Sequence, residues 1–395
     1  MEKFKDKRSL YIGIAIAAVV VVVAAVLGVI SQFGTPISIQ MVETSKVSSQ
    51  SIKISWSDEY DSIVRKYVVK RRKVGENQDW EVVGSLKSDK QVDGKMNYIE
   101  DSLDSDKPQQ FVYRVDMKLS NWISYKAQTG KERLSSNVLI CLDAGHYEGR
   151  NTVEGELSYG YAEGDFTLDL ALELRDILKG QYGIDVYMTR TTEHINIHGY
   201  RDINLDSTHI ALRGMRAAYK DSDLFVSLHT NANADNAHGY ETCMQPIGMN
   251  KPMVLVNTVG CDDPMTIAVS NSVGTNLAKA NYALGTASVE EFITVQPGAV
   301  EKWTGEMNDM LDIPGVVCYR HKKDEATDYY GVLRGSAIVD RPGIIIEHGF
   351  HTVPEMRKEA MEGNLKSIWA NIDAYGIAYG FGFETELEIQ DLEIK

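Results

Sequence analysis

The sequence predicts an α/β domain with a central sheet flanked by helices, preceded by an all-β sandwich and an N-terminal transmembrane helix. Three observations support this architecture. Residues 10–30 carry no charged side chain, residues 35–135 contain short runs that alternate apolar and polar residues, and residues 136–381 alternate apolar strands with amphipathic helices. Strands that alternate with helices are typical of a sheet covered by helices. The last residues, 382–395, are predicted to form an acidic tail.

The uncharged segment 10–30 is long enough to cross a bilayer, because about 20 helical residues span the hydrocarbon core. Basic residues are concentrated in the tail 1–9 that precedes it, and the next charged residue after it is Glu43. This asymmetry predicts a single-pass cell-membrane protein with a cytoplasmic N-terminus and the remaining chain outside, in the cell envelope. A cleaved signal peptide is the alternative, although its apolar region is usually only ~7–15 residues long.

The chain is acidic, with a formal net charge of −15 at pH 7. Nucleic-acid-binding proteins carry a basic patch or stripe, so this charge argues against nucleic acid as a partner. The same charge gives no general attraction to an anionic cell wall. Any wall binding must therefore depend on specific contacts.

The cysteines do not form a CxxC pattern. Cys141 lies inside an apolar run and is predicted to be a small core residue. A disulfide between Cys243 and Cys261 is compatible with an exported protein, but spacing cannot establish it.

Residues 35–135 are predicted to form the β-sandwich. In 51–57 and in 111–117 every second residue is apolar, which is the period of a half-buried strand. The order of Trp56, "YIEDSL" at 98–103 and "YRV" at 113–115 resembles a fibronectin type III domain. This resemblance implies a spacing or docking role, and a possible protein partner at the β domain.

The α/β domain begins with the apolar run 138–142, which predicts a buried strand. Phe166, Leu170, Leu174 and Ile177 then recur at helical spacing and predict one apolar helix face. Further strands and helices follow in alternation. The predicted strands are 184–190, 223–229 and 343–350. A helix is predicted over 211–219, and a long helical region is predicted over about 354–379.

Three predicted strands end close to a potential metal ligand or acid–base group, namely His146, His229 and Glu347, and Glu163 immediately precedes a helix that starts near Gly164. Parallel strands gather their carboxyl ends at one edge of a sheet. Two imidazoles and a carboxylate there form a typical catalytic zinc set that leaves one position for water. A further carboxylate can move protons. Each residue alone also has an ordinary structural explanation, so spacing leaves both interpretations open.

Several motifs occur in a characteristic order: "ICLDAGHYEG", "AEGDFTLDLALELRDIL", "VYMTRTTE", "ALRGMRAAYKDSDLFVSLHTNANADNAHGYET" and "GVLRGSAIVDRPGIIIEHGF". Over residues 138–380 the chain resembles the zinc-dependent N-acetylmuramoyl-L-alanine amidases of the amidase-3 class. The resemblance implies one Zn²⁺ ion bound by His146, Glu163 and His229, with Glu347 as the catalytic glutamate. It implies that residues 136–381 hydrolyse the amide bond between N-acetylmuramic acid and L-alanine in peptidoglycan, using zinc-activated water.

The chain departs from the usual family pattern around both ends of the site. Ala144 stands where the family usually has Pro, Tyr147 and Glu148 replace a Gly-Gly pair, and His348 replaces the Leu of Leu-Gly-Phe. These departures concern the shape of the pocket. The connections 244–264 and 286–330 are enlarged, and we hypothesise that they form a lid or a regulatory flap.

Other histidines are weaker candidates for metal ligands. His194 and His198 have a spacing compatible with a helix but lack helical periodicity around them, and His238 follows a turn-like stretch. His348 and His351 flank Gly349 beside the proposed base, and a substrate contact is the alternative role for either of them.

Two other functions fit the same residues. A zinc peptidase that acts on stem peptides would use the same chemistry with a different pocket. A membrane-tethered, non-catalytic cell-wall-binding protein would not need this catalytic chemistry. The presence of all four polar site residues argues against this hypothesis. Zinc is inferred from the ligand type, so another divalent ion is an alternative.

Overall fold

The computed structural model of the chain contains two units. The first unit comprises Met1–Ser45, Ile52–Asp101 and Phe111–Arg133, and the second comprises Lys46–Ser51, Ser102–Gln110 and Leu134–Lys395. The residues that the structure describes are 16–24, 41–48, 51–57, 64–74, 79–88, 94–100, 103, 108–118, 133–232, 251–287, 290–296, 316–318, 328, 330–383 and 385.

Residues 16–24 form an exposed helical stretch within the predicted membrane span. The rest of that span and the basic tail 1–9 lie outside the described residues. Within the described part of the chain, no helix combines the length and the apolar character needed to cross a membrane.

The first seven strands form two sheets, as the alternating sequence pattern predicts. They are β1 (Met41–Ser48), β2 (Ser51–Ser57), β3 (Lys66–Lys73), β4 (Glu81–Lys87), β5 (Lys95–Glu100), β6 (Gln110–Lys118) and β7 (Arg133–Ser136). The sheet orders are β1-β2-β5 and β4-β3-β6-β7, and the pairs β2–β5, β3–β4 and β3–β6 are antiparallel. Trp56 of β2 and Tyr67 of β3 are both fully buried, with ring centroids 5.5 Å apart, so they pack the two sheets together. The fibronectin type III resemblance stays a prediction.

The second unit contains further strands and helices that alternate along the chain. Its strands are β8 (Leu139–Ala144), β9 (Asp185–Met188), β10 (Asn196–Ile197), β11 (Tyr200–Arg201), β12 (Leu224–Asn231), β13 (Met253–Val256), β14 (Ile293–Gln296), β15 (Val316–Cys318) and β16 (Gly343–Phe350). Its α-helices are α1 (Glu163–Ile177), α2 (Ala211–Met215), α3 (Thr258–Cys261), α4 (Pro264–Ala283), α5 (Gly331–Ile338), α6 (Pro354–Glu362) and α7 (Leu365–Gly380).

Seven of these strands form one sheet in the order β15-β14-β13-β16-β12-β8-β9. β8, β9, β12 and β16 run parallel to their neighbours within this group, and β13 runs antiparallel to β16. The parallel direction of β8, β12 and β16 confirms that their carboxyl ends meet at one edge of the sheet. That edge carries the candidate site.

Successive side chains of the sheet point to opposite faces, and helices cover both. Even-numbered residues of β8, β12 and β16 belong to the core beneath α1, α4 and α7, whereas Cys141, Phe225 and Ile345 pack with residues of α5. The predicted core role of Cys141 is therefore confirmed. Cys243 lies outside the described residues, so the suggested Cys243–Cys261 disulfide stays untested.

The predicted helix face is confirmed, because Phe166, Leu170 and Leu174 of α1 are buried in this core. The predicted helical region 354–379 is confirmed, and it consists of two helices, α6 and α7. α6 ends at Glu362 before Gly363, which adopts an extended conformation (φ −99°, ψ −157°) and therefore cannot continue the helix.

The enlarged connections contain sheet strands that the sequence interpretation missed. The described part of 244–264 contains β13 and α3, and the described part of 286–330 contains β14 and β15. These segments extend the sheet beyond β16. Much of both connections lies outside the described residues, and so does most of the acidic tail 382–395.

Candidate metal centre

His146 lies just beyond the end of β8, in a left-handed backbone conformation with φ 58°. Its Nδ1 is 2.9 Å from Oδ2 of Asp206, and its Nε2 is 3.2 Å from Oε2 of Glu163. Left-handed conformations are uncommon for residues with a Cβ, and they persist only where surrounding contacts hold them. The contact between Nδ1 and the Asp206 carboxylate orients the imidazole ring, so that Nε2 faces Glu163 at the centre of the site.

Glu163 is the first residue of α1, and its side chain is buried. One carboxylate oxygen, Oε1, accepts a hydrogen bond from the backbone N–H of Thr230 at 2.9 Å and lies 3.1 Å from Nδ1 of His229. The other, Oε2, faces His146 and also accepts a hydrogen bond from Asn151 at 2.7 Å. The carboxylate thus bridges the two imidazoles.

His229 and Glu347 occupy directly paired positions on the neighbouring parallel strands β12 and β16. Paired residues on adjacent strands present their side chains on the same face of the sheet. Oε2 of Glu347 is buried and has no hydrogen-bond partner among the described residues. Buried polar atoms almost always have a hydrogen-bond partner, so this unpaired oxygen indicates that Glu347 interacts with a ligand or a reactant.

Gly145 makes room for this arrangement. A Cβ at this position would lie 2.5 Å from Cε1 of His229 and 2.5 Å from the carbonyl oxygen of Leu228. Any side chain there would displace the imidazole. The glycine before His146 therefore allows the ends of β8 and β12 to approach closely.

The structure brings together three of the four predicted site residues as potential metal ligands. Ligand atoms of His146, Glu163 and His229 all lie within 4.8 Å of one another. Imidazole nitrogens and a carboxylate oxygen are the ligands that zinc uses in catalytic sites, where three protein ligands leave one position open. The donor set therefore fits a zinc ion.

The ionisable groups of the site lie so close together that they shift one another's pKa values. Burial opposes a charge on His146, but the carboxylates of Glu163 and Asp206 outweigh it and raise the pKa of His146 to about 10. The two imidazoles overcome the effect of burial on Glu163 and hold its pKa well below the ordinary value. Burial and the nearby Glu163 carboxylate raise the pKa of Glu347 to about 8, against the opposing effect of His146.

The chain matches Amidase_3, described as N-acetylmuramoyl-L-alanine amidase, over residues 140–379. This match covers more than half of the 395 residues. The chain belongs to the N-acetylmuramoyl-L-alanine amidase family. It is an enzyme that hydrolyses the amide bond between N-acetylmuramic acid and L-alanine in peptidoglycan. No curated protein matches the chain.

Solved structures of other amidases are similar to this amidase. N-acetylmuramoyl-L-alanine amidase AmiC2 of Nostoc punctiforme is 19% identical; the match covers 62% of this chain and 97% of that chain, with a TM-score of 0.39. The catalytic domain of CwlV from Bacillus (Paenibacillus) polymyxa var. colistinus is 17% identical, with 65% and 99% covered and a TM-score of 0.38. The CwlD amidase from Clostridioides difficile, solved in complex with the GerS lipoprotein, is 17% identical, with 62% and 98% covered and a TM-score of 0.39.

Two buried arginines donate hydrogen bonds to the backbone of residues 144–146, at the end of β8 and in the loop that follows it. Neither arginine was predicted from the sequence. Arg213 forms an ion pair with Asp143 at 2.9 Å, contacts Asp206 at 3.2 Å and donates a hydrogen bond to the carbonyl oxygen of His146 at 3.2 Å. Arg190 donates to the carbonyl oxygens of Ala144 and Gly145, at 2.9 Å each.

The sequence contains a local signal for only one of these supporting residues. Arg190 is the last residue of the predicted strand 184–190, and a charged residue at the end of an apolar strand is a signal for a functional site. Asp206 and Asn151 lie in irregular segments, and no periodicity points to them.

Among the residues that the structure describes, the remaining histidines do not join the ligand cluster of the amidase. His194 is exposed and pairs with Asp202, with Nδ1 and Oδ2 3.2 Å apart, and His198 lies in a turn with φ 53°. His238 lies outside the described residues. The hypothesis that His348 or His351 contacts substrate is not supported by their burial, because both side chains are enclosed by protein.

Proposed function

We propose that His146, Glu163 and His229 of this amidase bind one zinc ion and that Glu347 is the catalytic acid–base group. The observation that carries the proposal is the juxtaposition of three ligand atoms within 4.8 Å, beside a buried Glu347 oxygen that has no hydrogen-bond partner in the described part of the chain. Asp206 supports it, since a metal-bound histidine commonly donates its other N–H to a carboxylate.

When bound, zinc supplies a Lewis acid that lowers the pKa of water and polarises the scissile carbonyl. Glu347 accepts a proton from the attacking water as the new C–O bond forms on the lactyl carbonyl carbon. It then donates this proton to the nitrogen of L-alanine as the C–N bond breaks. A carboxylate is suited to both steps, because it can accept a proton in the first step and return it in the second.

In this proposal, the residues around the site position the metal ligands. Thr230 and Asn151 donate hydrogen bonds to the Glu163 carboxylate, which keeps it ionised and correctly rotated. Arg213 holds the carbonyl of His146 and therefore fixes the loop that carries the first ligand. These groups position the ligands and need not touch the substrate.

The test is digestion of purified peptidoglycan by the full chain and by its Glu347→Gln variant, with metal content measured for both. Glu362→Gln is the matched control, since Glu362 is exposed on α6. Mass spectrometry identifies the new termini. We expect free L-alanine amines on intact glycan strands from the wild type and the control, and zinc without turnover in Glu347→Gln.

Other outcomes would change specific parts of the proposal. Termini within the stem peptide would establish a peptidase instead. Full turnover by zinc-bearing Glu347→Gln would remove Glu347 from the mechanism. A His146→Ala variant that still binds zinc as tightly as the wild type would show that the ligand set is wrong.

We further propose that residues 10–30 tether the amidase to the cell membrane with the enzyme outside. The support is the uncharged segment and the basic residues before it. We propose that the β-sheet region acts as a fibronectin type III-like spacer or docking domain. Fractionation of cells that express the chain tests the first proposal, because a protein in the soluble fraction after membrane sedimentation would contradict it.

A further inference from the structure

A buried imidazole–carboxylate pair lies behind the candidate metal centre. His348 follows Glu347 in β16, Asp373 lies in α7, and Nε2 of the histidine is 2.8 Å from Oδ2 of the aspartate. Both side chains are completely shielded from solvent. They cannot reach a substrate, so a role in the reaction must act through other groups.

The hydrogen bonds of His348 define where its protons are. Nδ1 lies 3.0 Å from the carbonyl oxygen of His229. A carbonyl oxygen can only accept, so Nδ1 carries a hydrogen and donates it. Nε2 and the Asp373 carboxyl group then share one proton. The pair is either an imidazolium with a carboxylate or two neutral groups, and its net charge is zero in both forms, which makes its complete burial tolerable.

The carbonyl that accepts this hydrogen bond belongs to the peptide group between His229 and Thr230. The N–H of the same peptide group donates to Oε1 of Glu163 at 2.9 Å. A peptide group is planar and rigid, so holding both ends fixes its rotation about the strand axis. A continuous chain of hydrogen bonds therefore runs from Asp373 through His348 and this peptide group to Glu163.

The ring of His348 is itself held in one orientation. It stacks on Trp369 with ring centroids 5.0 Å apart. Asn281 donates to the backbone carbonyl of His348 at 2.8 Å and accepts from Nε1 of Trp369 at 2.9 Å. All three side chains are buried, so the donor Nδ1 cannot rotate away from its acceptor.

We propose that His348 and Asp373 are a positioning pair that, through the 229–230 peptide group, sets the orientation of His229 and Glu163 toward the metal ion. This inference rests on the proposed metal site. It assigns a role in metal binding to two residues that contact neither metal nor substrate. The role requires a hydrogen-bond donor at the Nδ1 position of residue 348.

The experiment compares variants of the full chain that keep or remove this donor. His348→Leu removes it, whereas His348→Asn places an amide N–H close to the position of Nδ1. Ser336→Ala is the matched control, because it removes a buried hydroxyl that is hydrogen-bonded to Asn257 and to the carbonyl of Leu333, away from the metal centre. His348→Met fills the same volume with a flexible apolar chain and replaces the leucine variant if that variant does not fold.

Three quantities are measured for each protein: the zinc dissociation constant by chelator competition, the absorption spectrum of the Co²⁺-substituted site, and the thermal unfolding temperature without metal. We expect the variant without the donor to bind zinc about 10- to 100-fold more weakly and to show an altered Co²⁺ spectrum. The Ser336→Ala protein should keep the wild-type spectrum and affinity. His348→Asn keeps the donor but loses the contact with Asp373, so its affinity should lie between those of the wild type and His348→Leu.

The outcomes separate this inference from the metal site on which it rests. Wild-type zinc affinity and an unchanged Co²⁺ spectrum in His348→Leu, with only a lower unfolding temperature, would overturn the positioning role and leave the metal site standing. Equal loss of affinity in Ser336→Ala would overturn it as well, since the effect would then follow general destabilisation. A wild-type chain that binds no zinc would overturn the proposed metal site itself.

Discussion

Replacing Glu347 with glutamine is expected to stabilise the metal-free protein at neutral pH, in addition to stopping the reaction. The carboxyl group of Glu347 is buried, its Oε2 has no partner among the described residues, and the Glu163 carboxylate lies nearby. Without zinc, the imidazole of His146 favours a negative charge at this position, but burial and the Glu163 carboxylate outweigh it. An uncharged amide of the same shape avoids that cost.

The size of the effect follows from the pKa of Glu347. In the unfolded chain the group titrates near its ordinary pKa of 4.5, and in the folded protein its pKa is about 8. Between these values the folded state keeps a proton that the unfolded state releases, so rising pH favours unfolding. Each pH unit in this window is worth about 1.4 kcal/mol. Between pH 4.5 and pH 7 the wild type is expected to lose about 3 kcal/mol relative to the variant.

Urea denaturation of the chelator-treated wild type and Glu347→Gln, at pH 4 and at pH 7, measures this difference. The variant should be more stable by about 3 kcal/mol at pH 7 and nearly equal at pH 4, where the carboxyl group is protonated in both states. The exposed control Glu362→Gln should show no such dependence. A stability difference that is the same at both pH values would refute the reasoning. Zinc should reduce the difference, because a cation stabilises the carboxylate.

Three further substitutions probe the supporting contacts. A methyl group at Gly145 would lie 2.5 Å from Cε1 of His229, so Gly145→Ala should weaken zinc binding about tenfold or more. Gly180→Ala is the control and should not weaken it, because the space around Gly180 is open. Equal zinc affinities of the two variants in a chelator competition would contradict this. Arg213→Met leaves Asp143 buried without its cation and should cost about 3–5 kcal/mol in urea denaturation, and a loss below about 1 kcal/mol would be inconsistent with the ion pair. Asp206→Asn should lower zinc affinity about 10- to 100-fold, and the explanation fails if the affinity stays the same.

The ends of the strands could be predicted from the sequence, because the apolar run of a buried parallel strand stops where the strand leaves the core. An apolar run that stops at a polar side chain marks both the strand and the residue that its end presents. β16 has the predicted bounds, and His229 pairs with Glu347 in the same register at the edge of the sheet. Glu163 could be placed because the apolar face of α1 fixes where that helix begins.

The supporting contacts could not be predicted, because they join residues far apart in the chain through irregular segments. Arg213 meets Asp143 across 70 positions, and the Asp206 contact with His146 spans 60. Neither follows from a local period. β13 was missed because a run of only four apolar residues, 253–256, does not distinguish a strand from a buried loop. Its antiparallel pairing with β16 depends on the chain reversing direction, which no local pattern encodes.

The order of strands in the large sheet has a consequence for how the enzyme responds to heat. β16, β12 and β8 each have a neighbour on both sides in the described sheet, whereas β15 and β9 stand at its ends. Amide hydrogens of such inner strands exchange with solvent only through large-scale opening, while edge strands fray at a much lower cost. The pairing of His229 with Glu347 should therefore survive partial melting at the periphery. Inactivation by heat should then coincide with the cooperative unfolding of the whole domain.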